Sequence, residues 1–173
     1  MKKVYVALFC LLSIVQVQAQ VKQMNSFWGL DYTMDKETVY KLVKEKNQNK
    51  GLSVTNGKTQ IIVDHVLLDD ERYQYVLLDF YHDKLLGAFF SKKIKENEEA
   101  TLTFLRVRES LTAKYGEPKV ETDETVTCYW YDKSRNIVQL SLNKSGKSYS
   151  IGLLYLNGQL NSRKTVDEQM GLK

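Results

Sequence analysis

The sequence predicts an α+β fold: an antiparallel sheet with helices packed on one face, built as two helix-plus-strands units in tandem. Three observations carry that prediction. Segments 36–47 and 98–115 place apolar residues at helical spacing. Most of the remaining chain alternates apolar and polar residues with period two, as strands with one covered face do. The order along the chain is helix, strands, helix, strands, with one helix and about four strands expected in each half. Helices on one face of a sheet bury both apolar surfaces together. There is no literal sequence repeat, so the echo between the halves is one of topology.

A leader comes first. Lys2 and Lys3 precede an apolar run from Val4 to Val17, broken by Ser13 and Gln16. Val17-Gln18-Ala19 supplies compact residues where a signal peptidase reads. Residues 1–19 are therefore expected to be a cleaved signal peptide, and the protein to be secreted, periplasmic or extracellular. A membrane span needs about 20 apolar residues, more than this run offers, and no later segment offers them. Cys10 follows Ala7-Leu8-Phe9, which is not a lipidation motif, and leaves with the leader. Lys2 and Lys3 leave too, so the formal charge falls from +4 to +2. That near-balance argues against nucleic acid as a partner. Cys128 is then the sole cysteine and has no internal disulfide partner. Residues 20–158 are expected to be a single α+β domain, with halves at 27–95 and 96–158. Residues 159–173 read as a polar tail, mobile or forming a short surface helix.

Taken in order, 27–32 is a short strand or extended packing segment. In the first helix, Asp35 suits the N-cap and Met34 with Val39 a hydrophobic staple. Segments 52–55 and 58–63 flank Asn56-Gly57, a pair that favours a tight hairpin turn with positive φ angles. Strands follow at 72–81 and 85–94, after a turn at Asp69-Asp70-Glu71. The second helix carries the stripe Ala100, Phe104, Val107, Leu111 and Tyr115, with Gly116 as a left-handed cap and Pro118 as a stop. Strands at 125–132, 137–143 and 148–156 close the domain. Val126, Cys128 and Trp130 share one face of the first of these, and Thr125, Thr127, Tyr129 and Tyr131 share the other.

Trp28-Gly29-Leu30, Met34-Asp35-Lys36-Glu37 and the stretch Leu111–Pro118, which reads LTAKYGEP, carry a resemblance. They resemble small exported bacterial proteins of poorly known function. The doubled helix-plus-sheet layout is similar to that of the β-lactamase inhibitor protein and of outer-membrane assembly lipoproteins of the SmpA/OmlA type. The chain has Thr33 where many of these have a turn glycine, and lacks the lipidation cysteine of one group and the disulfide pair of the other. The resemblance implies a binding or scaffolding role.

No chemistry-bearing motif stands out. His65, His82, Cys128, Asp64, Asp79 and Asp83 have no metal-ligand spacing, so no metal and no cofactor are expected. Cys128 sits between Val126 and Trp130, an apolar setting that suits burial more than nucleophilic chemistry. Glu117, Glu121, Asp123 and Glu124 read as a solvated turn. Tyrosine is the unusual feature, with 11 in the chain. It favours strands, and it also favours interfaces, because it buries much area with few rotors. Tyr129 and Tyr131 are the expected binding residues, with Tyr73 and Tyr75 as possible extensions whose face the pattern leaves open. The expected function is a non-enzymatic protein-binding module with an envelope protein as partner. The alternative is a carrier of a small apolar or lipid-like ligand in a pocket lined by Phe80, Phe90 and Phe104; a hydrolase without a recognisable motif is the third reading.

Overall fold

The computed structural model describes residues 23–48, 53–122 and 125–172. The expected leader lies outside the described residues, as do Leu52, Asp123 and Glu124. The chain opens with a small hairpin, β1 (Ser26–Phe27) and β2 (Leu30–Asp31), followed by α1 (Lys36–Gln48). Then come β3 (Val54–Asn56), β4 (Gln60–Asp64), the short hairpin β5 (Leu67–Leu68) and β6 (Glu71–Arg72), β7 (Tyr75–Tyr81) and β8 (Lys84–Ile94). The second half runs α2 (Asn97–Tyr115), β9 (Lys119–Thr122), β10 (Val126–Tyr131), β11 (Ile137–Ser145), β12 (Ser148–Leu156) and α3 (Gly158–Gln169).

Eight strands form one antiparallel sheet in the order β3-β4-β7-β8-β12-β11-β10-β9. Each half of the chain lays down four neighbouring strands, and the halves join where β8 pairs with β12. The α+β class with a large antiparallel sheet is thus as the periodicity predicts.

One face of the sheet carries the core. Val76, Leu78, Phe80, Phe90, Leu140, Leu153 and Trp130 are buried there with Val39 and Val43 of α1 and with Ala100, Phe104, Val107 and Leu111 of α2. Fully burying one such side chain contributes about 1.5–3 kcal/mol. The expected α2 stripe is buried apart from Tyr115, which is half-buried, and Thr103 joins it. Asp35 caps α1 as expected, its Oδ1 accepting from the Thr38 amide at 2.8 Å. The N-terminal segment packs on the same side, with Phe27 stacked on Tyr155 at 4.9 Å. Among the described residues, no helix is long and apolar enough to cross a membrane.

The turns depart from expectation in instructive ways. Residues 27–32 are a hairpin in their own right, turning at Trp28 and Gly29 with φ of 49° and 74°. Asp69-Asp70 and His82-Asp83 also hold positive φ at both positions, the backbone that matches strand twist in two-residue turns. Asn56-Gly57 does not. Asn56 remains in the ladder opposite Ile61, and the Gly57 amide donates to the Gln60 carbonyl at 2.8 Å. The connection is therefore a four-residue loop, which does not require positive φ at those two residues. Gly116 has the positive φ expected of it, 88°, but its ψ of −170° is not left-handed helical. That extended mirror region is open essentially to glycine alone. From it the Gly116 carbonyl accepts the Trp130 indole N–H at 2.7 Å, tying the end of α2 to β10. One further element was not expected, since the acidic run after α2 contributes edge strand β9; of the two readings of the polar tail, the structure has the helix, α3, over most of its length.

Candidate functional site: the open face of the sheet

Alternation sends every second strand residue to the face opposite the core. Register then aligns those residues in rows. One row reads Ile62, Leu77, Phe89, Leu154, Gln139, Tyr129 and Lys119. Beside it lie Leu156, Ile137 and Tyr131 in one direction, and Tyr75, Ser91, Gly152, Ser141 and Thr127 in the other.

This face is less buried than the core and far from polar. Phe89 is 37% exposed and Tyr131 49% exposed, while Ile62, Leu77, Leu154 and Tyr129 are half-buried. Tyr129 and Tyr131 stack with ring centroids 6.1 Å apart and planes 14° off parallel, so each ring limits the freedom of the other. Phe89 lies against Gly152, where an added Cβ would sit 2.9 Å from the ring. Gly152 therefore lets Phe89 lie flat along the face.

The four expected binding residues are not together. Tyr129 and Tyr131 share the open face of β10. Tyr75 is on the same face but on β7, four strands away, about 19 Å at ordinary strand spacing. Tyr73 is not on this face at all. It is 2% exposed and packs edge-on to Phe90 at 5.4 Å in the core, and burial pushes its phenol well above the usual range. The chain bends between β6 and β7, where the Tyr73 amide donates to Val66 and the Gln74 amide to Ser91, so the two-residue alternation is broken between Tyr73 and Tyr75.

Helix α3 reaches the β7 corner of this face through polar contacts. The Tyr81 hydroxyl donates to Asp167 Oδ2 at 2.5 Å, His82 Nε2 lies 3.5 Å from the same oxygen, and Lys164 pairs with Asp79 at 3.5 Å. The Tyr81 hydrogen bond chiefly holds the Asp167 carboxyl below its ordinary range. The Tyr129–Tyr131 end carries no such cover in the contacts of α3.

Elsewhere, a cavity of about 170 Å³ lies between α2 and the β5–β6 hairpin, with Tyr73, Leu111 and Leu153 among its walls and Asp69, Asp70 and Arg106 also lining it. Glu71 bonds Lys92 and Arg106 at 3.0 Å each and fixes that hairpin. Phe80, Phe90 and Phe104 are all buried in the core. Cys128 is buried too, and burial pushes its thiol up, away from the reactive thiolate. Among the described residues, no three His, Cys, Asp or Glu side chains gather as metal ligands would.

Sequence reasoning missed Phe89, Leu154 and Ile137 on the open face. Phe89-Phe90 is a pair of adjacent aromatics, so neither announces its side; only the strand register does. No protein-family model matches the chain, and no curated protein and no solved structure matches it.

Proposed function

We propose that the chain is an exported, non-enzymatic envelope module that binds another protein through the open face of its sheet. The observation that carries this reading is the stacked Tyr129–Tyr131 pair continuing into the apolar row of Leu154 and Phe89 on the face opposite the core, away from the α3 contacts at its β7 corner. Tyrosines with restrained rings are efficient anchors, because little side-chain entropy is lost on docking. The sheet is about 34 Å across at ordinary strand spacing. That is wide enough for a standard patch of roughly 800 Å² per partner. The leader Met1–Ala19 supports export. The same reading takes the two halves as tandem units, since each supplies a helix and then four adjacent strands.

The test is retention of an envelope partner by the purified chain. Replacing Tyr129 and Tyr131 together with serine should weaken retention at least tenfold, with the melting temperature nearly unchanged, because these rings contribute little to the core. A variant that folds and retains the partner normally refutes the open face as the site. Unfolding of the variant would make the tyrosines structural, and refutes it as well.

A further inference from the structure

The sheet ends in two edge strands that are finished differently. β3 is three residues long and lies against α1, whose Lys36 Nζ donates to Asn56 Oδ1 at 2.5 Å. β9 runs beside β10, and all four of its residues are exposed.

The backbone groups that β9 leaves free follow from alternation. The Gly146-Lys147 turn closes β11 and β12 on the Ser145–Ser148 pair. Hydrogen-bonded pairs then fall on every second residue. Odd residues of β11 bond β12, even residues bond β10, and odd residues of β10 bond β9. Lys119 and Glu121 thus use their backbone groups on Tyr129 and Thr127. Val120 and Thr122 turn theirs outward. The side chains divide in the complementary way: Lys119 and Glu121 stand on the open face, their charged groups 2.7 Å apart, and Val120, 45% exposed, stands on the helix side.

We propose that β9 is the seam of a two-fold homodimer, in which two copies pair this strand antiparallel and continue the sheet. The registers available to such a pair are few, because outward-bonding residues must face each other. With Val120 opposite Val120 of the second copy, Lys119 faces Glu121 on both sides of the axis. Sliding by two residues sets Lys119 against Lys119 in one direction and Glu121 against Glu121 in the other. Like charges directly opposite are destabilising and opposite charges favourable, so the strand selects one register for itself. In that register the two Val120 residues exchange both backbone hydrogen bonds. Thr122 N–H meets the second copy's Pro118 carbonyl at each end, and Pro118, having no N–H, ends the ladder. Edge strands are commonly protected by a lysine that repels pairing; here Glu121 supplies the complement. The two-fold axis is perpendicular to the sheet, so α1 and α2 of both copies stay on one side and the two open faces run on across the seam. A seam this short makes a weak, rapidly exchanging dimer, at the low end of interface sizes.

Sedimentation velocity on the purified chain, from about 10 µM to about 1 mM, should show concentration-dependent dimerisation. Lys119→Glu and Glu121→Lys each place like charges across both halves of the seam, and each should weaken the dimer at least tenfold. The double variant, Lys119→Glu with Glu121→Lys, restores opposite charges and should dimerise like the parent. Val120→Pro removes the central N–H and should leave a monomer. All three substitutions fall on exposed residues, and an unchanged far-ultraviolet spectrum checks that the fold survives in each of the four variants. A chain that is monomeric at the highest concentration overturns the proposal. So does a dimer indifferent to the single variants, which must use another surface, and so does a double variant that fails to recover.

Discussion

The two faces of the sheet are made by the same strands and differ by one residue of parity. On the covered face Val76, Phe90, Leu153, Leu140 and Cys128 are buried to near completion. One residue along, Leu77, Leu154, Gln139 and Tyr129 remain half-buried, and Phe89 and Tyr131 are more open still. Area removed from water sets the hydrophobic contribution at about 25 cal/mol per Å², so stability is concentrated on the covered side. Large rings on the other side lower solubility without a matching return in stability. Their presence is the physical motive for looking there for function, and the following substitutions test how sharp the division is.

The largest effect belongs to the covered face. Trp130→Ala removes a buried ring and strands the Gly116 carbonyl that now accepts its N–H at 2.7 Å. Loss of a buried Trp costs about 3–5 kcal/mol, readable as a shift in the denaturation midpoint. A loss below about 1 kcal/mol would mean that β10 lies outside the cooperative core and that the two faces do not differ as described.

A smaller effect is expected from a wedge on the open face. Gly152→Val would place its Cβ 2.9 Å from the Phe89 ring and 3.0 Å from Ser141 Oγ. Overpacking of this kind costs about 1–3 kcal/mol in a tight core. Here Phe89 can swing outward, so the cost should fall at or below the lower end of that range. A cost as large as that of Trp130→Ala would show the open face to be packed like a core.

How much of this division was legible in the sequence depended on whether burial was one-sided. Val126, Cys128 and Trp130 alternate with Thr127, Tyr129 and Tyr131, so their strand and its faces could be read directly. α2 was legible for the same reason, one apolar stripe bounded by a glycine and a proline. β8 was legible as a strand but not by face: Leu85 and Leu86 are both buried beside the irregularity opposite Phe80, and Phe89 and Phe90 are adjacent. β9 was missed because an edge strand with all residues exposed has no apolar alternation to display. α3 is ambiguous in the sequence because it docks through Asp167 and Lys164, not through an apolar stripe. The separation of Tyr73 from Tyr75 depends on a bend, and bends leave no periodic signal.

The smallest effect returns to the covered face and concerns its polar atoms. Tyr155 is 1% exposed and stacks on Phe27, yet its hydroxyl has no hydrogen-bond partner among the described residues; Tyr32 and Tyr115 share that condition. Burial pushes the Tyr155 phenol far above its ordinary range, with the field of Tyr115 adding to it. A buried hydroxyl left unpaired costs about 1–3 kcal/mol, whereas removing it while keeping shape is nearly neutral or stabilising. Tyr155→Phe keeps the ring and its stack and deletes only the oxygen. Thermal denaturation should therefore show an unchanged or slightly raised melting temperature, with a gain of no more than about 1 kcal/mol. A clear loss would mean that the hydroxyl is satisfied through internal water. The covered face would then hold a polar network under its aromatic cluster, and the contrast with the open face would be one of access to solvent more than of polarity.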